Sequence, residues 1–277
     1  MGDQGGVSNT GDFLVLVCHA LYSPWIEILN DGQLKTWALP GSQNIVHAHG
    51  LTTSKTLRKL DVRYWELKWS RRWGKLVTLV EYVLSPLINR KIPTVHTSQI
   101  QPGVDSIVAE MPDFNFMMNK KTLALLKYGA SQNYKHIVFT TSSSLINLIP
   151  LQRELAKLPA SNVVAGRIIE RDGNHFPSGC FRVFSPDVLT KVLQNLQGYK
   201  YWLPEDLALG NALSKMNLTF IKLESLDLET PESIADLPEN YLINVPHFRL
   251  KSEVEGRRID VELMKMLQTR IENRVVS

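Results

Sequence analysis

Five consecutive hydroxyl side chains, residues 140–144, separate two apolar runs near the middle of the chain. The run before them, residues 137–139, is typical of a strand buried on both faces of a parallel sheet. Leucines recur at helical spacing after them, so the serines occupy the N-cap position of a predicted helix that begins at Leu145. Ligands of open α/β sheets bind at the carboxyl ends of the strands. This turn is therefore the first candidate binding site, with candidate hydroxyls on Ser142, Ser143 and Ser144.

A pair of acids, Glu205 and Asp206, begins the segment PEDLALGNAL, which is predicted to be a helix. Acidic side chains in the first turn of a helix interact favourably with the helix dipole. That interaction alone explains the pair without any catalytic role.

A third segment, HFPSGCFRVFS, covers residues 175–185 and has the composition of a strand. It contains Ser178 and Gly179, and a glycine within a strand often marks the close approach of a ligand to the backbone. A helix is predicted to follow at Pro186.

Together these segments resemble the β-1,3-galactosyltransferase, N-acetylglucosaminyltransferase and fringe family over residues 111–249. The family's acidic-aromatic-Asn run and Lys-Thr helix start are matched by Asp113, Phe114, Asn115, Lys121, Thr122 and Leu123. Its Gly-rich strand is matched by Pro177, Ser178, Gly179, Val183 and Ser185, but Cys180 and Phe181 replace two glycines and Arg182 replaces an aromatic residue. Its Pro-Glu-Asp helix start is matched by Pro204, Glu205, Asp206 and Gly210.

The resemblance implies a GT-A-like α/β fold and an inverting hexosyltransferase. Its donor would be a UDP-sugar and its acceptor a glycan or a lipid-linked hydroxyl. The family's role of general base falls on Asp206, with Glu205 beside it. Donor contacts fall on the three serines, Ser178, Gly179 and Arg182, where Arg182 is equally explained as an exposed strand residue. A fainter match places Trp37 beside the nucleotide.

The pattern departs from the family at the metal motif, because Ser142, Ser143 and Ser144 stand where the family has aspartates. The sequence contains no Asp or Glu between Asp113 and Glu154. Mn²⁺ or Mg²⁺ normally neutralises the leaving diphosphate through carboxylates, and the family's histidine, here His247, can complete that coordination. Three readings stay open: transfer without metal, using cations such as Arg182 or Arg249; weak metal dependence; and a catalytically inactive nucleotide-sugar or glycan-binding module.

Composition sets limits on these readings. The 277 residues, 44% of them hydrophobic, are enough for one core, and we expect a single domain over residues 12–277 after a disordered N-terminus at 1–11. The net charge of +4 permits anionic ligands without selecting among them. Two cysteines, Cys18 and Cys180, make no disulfide framework, which predicts a cytoplasmic protein. A Golgi enzyme is the alternative if an N-terminal anchor precedes this sequence.

Residues 55–75 contain eight basic residues, with Trp65, Trp69 and Trp73 at a spacing of four. On one helix these tryptophans would form a stripe. Such a stripe packs on the core, or it lies on a membrane that carries a lipid-linked acceptor. No nucleic-acid-binding motif accompanies the basic residues, and nucleic acid is not an expected partner.

The remaining pattern predicts a mixed, mostly parallel central sheet flanked by helices. Strands are expected at 13–18, 43–49, 93–100, 162–169, 218–228 and 242–245. Helices are expected at 25–37, 116–128 and 260–276.

Overall fold

The computed structural model describes residues 12–51, 53–70, 73–88, 91–114, 117–171 and 174–275. The expected disordered segment 1–11, as well as Asn115, lies outside these residues. The described chain forms a mixed α/β structure in which helices flank a large sheet. The predicted fold class is confirmed.

The strands comprise β1 (Phe13–Cys18), β2 (Ile45–Leu51), β3 (Val95–Gln101), β4 (Val104–Pro112), β5 (His136–Thr141), β6 (Ser144–Ile146), β7 (Val163–Arg171), β8 (Asn174–Phe184), β9 (Thr219–Lys222), β10 (Ser225–Asp227), β11 (His247–Arg249), β12 (Glu253–Val254) and β13 (Arg257–Arg258). The helices comprise α1 (Trp25–Glu27), α2 (Lys55–Trp69), α3 (Gly74–Ile88), α4 (Met118–Ala130), α5 (Leu148–Leu155), α6 (Pro186–Gln194), α7 (Glu205–Leu213), α8 (Pro231–Ala235), α9 (Glu239–Asn244) and α10 (Asp260–Val275).

The main sheet has eight strands among the described residues, in the order β3-β4-β2-β1-β5-β8-β7-β9. Strands β4, β2, β1 and β5 run parallel, as do β7 and β9, whereas β3 and β8 are antiparallel to their neighbours. A smaller sheet has the order β10-β11-β6. The carboxyl ends of β1 and β5 therefore lie side by side, next to the smaller sheet that begins at Ser144.

Side-chain alternation on β1 and β5 divides the core into two layers. Val15, Val17 and Val138 pack in the layer that includes α10 and the smaller sheet. Leu16 and Phe139 pack in the opposite layer with α4, α6 and α7. Both faces of the central strands are thus buried, as their continuous apolar sequences predict.

The helix predicted to begin at Leu145 begins at Leu148 instead. The three residues from Ser144 pair with β11 in antiparallel register, Ser144 opposite Arg249 and Ile146 opposite His247. Pairing with a distant strand occupies the backbone groups that a local helix would use, so this part of the prediction was wrong.

Three further predictions need correction. Residues 242–245, predicted to be a strand, belong mostly to the short helix α9, which follows Pro238. The helix predicted at 25–37 is divided into α1, a π-helical turn at Ile28–Gly32 and a 3₁₀ turn at Gln33–Lys35. The segment predicted as one strand, 218–228, forms β9 and β10.

The segment 55–75, in which a single helix would align the three tryptophans, is divided between α2 and α3. Gly74 permits the close reversal of the chain, because a Cβ there would lie 2.5 Å from the Lys68 carbonyl oxygen. Trp73 lies beyond the end of α2, so the three tryptophans do not share one helix. The side chains of Trp65 and Trp69, and all of Arg71 and Arg72, lie outside what the structure describes. No helix among the described residues is long and apolar enough to cross a membrane.

Candidate active site

A cleft of about 600 Å³ opens at the carboxyl ends of β1 and β5. Seven of the residues predicted from sequence to form the site line this cleft. They are Ser142, Ser143, Ser178, Gly179, Arg182, Glu205 and Asp206. Three others, Ser144, Trp37 and His247, do not line it.

Ser144 points away from the cleft into the core. Its Oγ lies 3.0 Å from Nε2 of His247 and 3.4 Å from the carbonyl oxygen of Cys180. Trp37 is also buried, and its Nε1 donates a 3.0 Å hydrogen bond to the Ser144 carbonyl oxygen. Gln33 supports the same turn, since its side-chain amide donates to the Ser142 carbonyl oxygen at 2.9 Å. These residues hold the turn from below and leave Ser142 and Ser143 facing the cleft.

His247 is a buried, neutral side chain. Its Nδ1 lies 2.7 Å from the Ser225 Oγ, and its ring stacks on Phe181 at 4.6 Å between ring centroids. Burial lowers the pKa of His247 to about 3. The hydroxyl groups of Ser225 and Ser144 engage both ring nitrogens of His247. The histidine is therefore a core residue on the buried side of the serine turn.

The residues around the turn do not fit a divalent cation. The serine hydroxyls are neutral, and such ions prefer carboxylate and carbonyl oxygens. Asp113 and Glu205, which line the cleft, each have a cation as partner, as described below. Among the described residues, no group of three or more His, Cys, Asp or Glu side chains is placed to hold a metal ion.

Cations lie close to the serine turn instead. Arg249, Lys251 and Arg167, here called the cationic group, all line the cleft. Arg249 lies opposite Ser144 in the smaller sheet, and the next residue, Leu250, donates its backbone N–H to the Ser143 carbonyl oxygen at 2.7 Å. The guanidinium of Arg167 makes two hydrogen bonds to Asp227, of 2.5 and 2.7 Å.

One carboxylate, that of Asp227, therefore serves two arginines of the cationic group, since an Arg249 nitrogen lies 3.9 Å from it. The three cations exceed this carboxylate by two charges. A further arginine, Arg258, donates a 2.9 Å hydrogen bond to the Ser143 Oγ and pairs with the buried Asp260.

Arg182, predicted to contact the donor, is buried and forms an ion pair with Glu205 at 2.6 Å. The same Glu205 oxygen accepts a 2.7 Å hydrogen bond from the Thr122 hydroxyl. Gly179 makes room for this arrangement, because a Cβ there would lie 3.3 Å from the other Glu205 oxygen. The Glu205 carboxylate is thus engaged within the protein, which makes it a poor candidate for a base. Arg182 Nε and Nη1 have no hydrogen-bond partner among the described residues.

Asp113 and Lys121 form a second buried ion pair, with a distance of 2.8 Å between Nζ and Oδ1. The Lys121 ammonium also donates to the His19 carbonyl oxygen at 2.5 Å. The pair therefore joins α4 to the end of β1 and to the residue after β4. The sequence marked these positions by resemblance, but their contacts give them a structural role in holding the cleft wall.

Asp206 has a different environment from Glu205. Its Oδ1 accepts the backbone N–H of Leu207 at 2.9 Å, and no side-chain cation pairs with it among the described residues. Burial, together with the charge of Glu205, raises the pKa of Asp206 above its usual value. A carboxylate that faces a cleft with a raised pKa is a better proton acceptor than an ordinary surface aspartate.

Sequence reasoning missed several lining residues. Arg167 and Lys251 carried no motif, and their place in the cleft follows only from pairing between distant strands. His19, Tyr22 and Trp25 follow β1, and the position of this loop at a strand end was the one signal that could have identified them.

No protein-family model matches the sequence, and no curated protein matches it significantly. Solved structures with a similar arrangement include the galactosyltransferase LgtC in complex with donor and acceptor sugar analogues, at 10% identity and a TM-score of 0.45 over 92% of this chain and 95% of that chain. An active-site mutant of LgtC gives 9% identity and a TM-score of 0.44 over the same shares. The apo-form glycosyltransferase GlyE of Streptococcus pneumoniae TIGR4 gives 10% identity and a TM-score of 0.45 over 97% of this chain and 64% of that chain. These values identify neither an activity nor a substrate for this chain.

Proposed function

We propose that this chain is a GT-A-type inverting glycosyltransferase that uses a UDP-sugar and neutralises the leaving diphosphate with arginine and lysine in place of a metal ion. The observation that carries the proposal is the division of charge within one cleft. The cationic group lines the cleft together with Ser142 and Ser143, and Asp206, which pairs with no side-chain cation among the described residues, faces the same cleft. The diphosphate of the donor needs positive charge, and the nucleophilic hydroxyl of the acceptor needs a proton acceptor.

The diphosphate requires positive charge and hydrogen-bond donors. Arginine supplies both, because its planar guanidinium donates several hydrogen bonds to phosphate oxygens. The three cations and Asp227 together have a net charge of +2, which equals the charge of the divalent metal ion that they would replace. Ser142 and Ser143 add neutral hydroxyl donors in this role.

The proposed transfer is a single displacement. The acceptor oxygen attacks the anomeric carbon while Asp206 takes the proton of that hydroxyl. The bond between the anomeric carbon and the diphosphate oxygen breaks, and UDP leaves with the electron pair. Glu205 holds Arg182 and Thr122 at the start of α7 and so positions the neighbouring Asp206.

Release of UDP from a panel of UDP-sugars, measured in EDTA and again with added Mn²⁺, tests this function. The proposal predicts turnover of at least one donor in EDTA, slow with water and faster with an acceptor saccharide. UDP binding without any turnover would support the other candidate, an inactive nucleotide-sugar-binding module, which is favoured by the serines at the metal motif. Turnover that requires Mn²⁺ would contradict the metal-free mechanism.

A further inference from the structure

Helices α2 and α3 form a hairpin that is closed by the turn at Gly74. The hairpin contacts the rest of the protein at the loop after β1, where the Arg58 guanidinium lies 4.9 Å from the centroid of the Tyr22 ring, and at the loop that contains Trp202. The Lys68 ammonium donates a 3.2 Å hydrogen bond to the Trp202 carbonyl oxygen, and the Tyr82 ring lies edge-on to the Trp202 ring at 4.9 Å between centroids. Trp202 lies only a few residues before Glu205 and Asp206.

The apolar stripe of α3 faces solvent. Leu76, Leu79, Val80 and Val83 follow the i, i+3, i+4, i+7 spacing of one helix face, and their exposed fractions lie between 48% and 62%. A helix of a soluble domain normally turns such a stripe to the core. Nine of the fifteen exposed large apolar side chains of the described residues belong to this hairpin and its turn, whereas the others are scattered. A concentration of this kind marks an interaction surface.

The same segment carries the positive charge of the protein. Residues 55–88 contain eight Lys or Arg and three Asp or Glu, a net charge of +5, whereas the whole chain has a net charge of +4. The rest of the chain is therefore slightly acidic. Lys55, Lys59 and Arg63 recur at four-residue spacing along α2 and are exposed.

We propose that the α2–α3 hairpin binds the surface of an anionic membrane. Its aliphatic stripe would enter the boundary between headgroups and acyl chains, and its cations would bind lipid phosphates. Charge distinguishes this occupant from a second copy of the chain, because two such faces would each bring a charge of +5 to one interface. An aliphatic stripe also has no counterpart in nucleic-acid recognition, which uses cations and aromatic stacking.

The consequence for the site rests on the function proposed above. Because the hairpin contacts the loop that leads into α7, a hairpin bound to a membrane brings the Asp206 end of the cleft close to the lipid surface. The acceptor is then a hydroxyl of a saccharide carried on a lipid. Membrane binding would raise the local concentration of such a lipid-linked acceptor at the cleft. A soluble saccharide would bind the same cleft without this effect.

Vesicle co-sedimentation tests the membrane contact directly. The probes are vesicles of phosphatidylcholine alone and of phosphatidylcholine mixed with phosphatidylglycerol. Binding to the anionic vesicles is expected, with loss at high salt. Leu79→Glu/Val83→Glu is expected to lower the partition coefficient about tenfold or more, since it places charge in the apolar layer. Ile149→Glu, on the exposed face of α5, is the matched control and is expected to leave the partition coefficient unchanged.

A second pair of variants separates the charge from the apolar stripe. Lys59→Glu/Arg63→Glu is expected to weaken anionic-vesicle binding about tenfold or more, because each basic residue near such a surface adds measurably to binding. Lys215→Glu/Lys265→Glu changes the net charge equally but leaves the hairpin intact, and a near-normal partition coefficient is expected.

Three results would overturn the proposal: no vesicle binding, equal loss with the control variants, or a dimer in light scattering that Leu79→Glu/Val83→Glu converts to monomer. Calorimetric titration with UDP on the same variants keeps the two proposals apart. Normal UDP binding without vesicle binding would reject the membrane contact alone. Vesicle binding without UDP binding would reject the donor assignment and leave the membrane contact standing.

Discussion

The charged side chains of the cleft fall into two classes that resemblance to known transferases does not distinguish. Asp113 with Lys121, and Arg182 with Glu205, form buried ion pairs whose charges are engaged within the protein. Asp206 and the cationic group, by contrast, face the cleft, and the three cations of that group exceed the one carboxylate of Asp227 by two charges. The first class holds the walls of the cleft, and the second is proposed to carry the chemistry. Matching a motif therefore does not by itself make a residue catalytic.

The largest expected effect comes from Asp206→Asn. Removal of the proposed base is expected to lower turnover by about 10²- to 10⁴-fold while UDP affinity stays near normal. Because the pKa of Asp206 is raised, the acid limb of the rate profile is expected above the usual pKa of an aspartate. UDP-release assays across pH measure both quantities. An equal loss of binding and rate would place Asp206 among the wall residues.

Breaking a buried pair is expected to affect stability first. Lys121→Met leaves the Asp113 carboxylate buried without its partner, which costs about 3–5 kcal/mol of unfolding free energy. Denaturant titration measures this loss. Lys135→Met removes the exposed partner of Asp12, at the similar distance of 2.6 Å, and is expected to leave the unfolding free energy nearly unchanged. Similar losses for both variants would remove the distinction between the two classes.

Arg249→Met tests the cationic group. It is expected to weaken UDP binding by about 10- to 100-fold, the usual range for a lost charge-assisted hydrogen bond, without large loss of stability. Arg153→Met, on the outside of α5, is the matched control. Unchanged UDP affinity in Arg249→Met would show that the diphosphate binds elsewhere.

The buried histidines predict how stability varies with pH. Burial lowers the pKa of His47 to about 4 and that of His247 to about 3, whereas an unfolded histidine titrates near 6.5. The unfolded chain therefore binds more protons than the folded chain below about pH 6.5, and stability falls as the pH is lowered toward 4. His47→Gln is expected to reduce this slope by up to about 1.4 kcal/mol per pH unit, measured by denaturant titration. His96→Gln, exposed on β3, is the control that keeps the slope.

Several elements were predictable because their signal is local. Continuous apolar residues identified β1 and β5, and periodicity with a first-turn acidic pair identified α7. Three other features depend on contacts between distant residues. Ser144 leaves the site because β6 pairs with β11, and Arg182 is engaged because Glu205 lies beside it. The α3 stripe is exposed because no element of the described residues covers it. Neither periodicity nor a motif records such contacts.

Calorimetric titration with UDP, in EDTA and then with Mn²⁺, tests the central claim most directly. The division of charge in the cleft predicts binding in EDTA, with little gain from the metal and a marked loss in Arg249→Met. Binding that appears only with Mn²⁺ would contradict the claim that arginine and lysine neutralise the diphosphate. No binding under either condition would contradict the assignment of the cleft to a UDP-sugar.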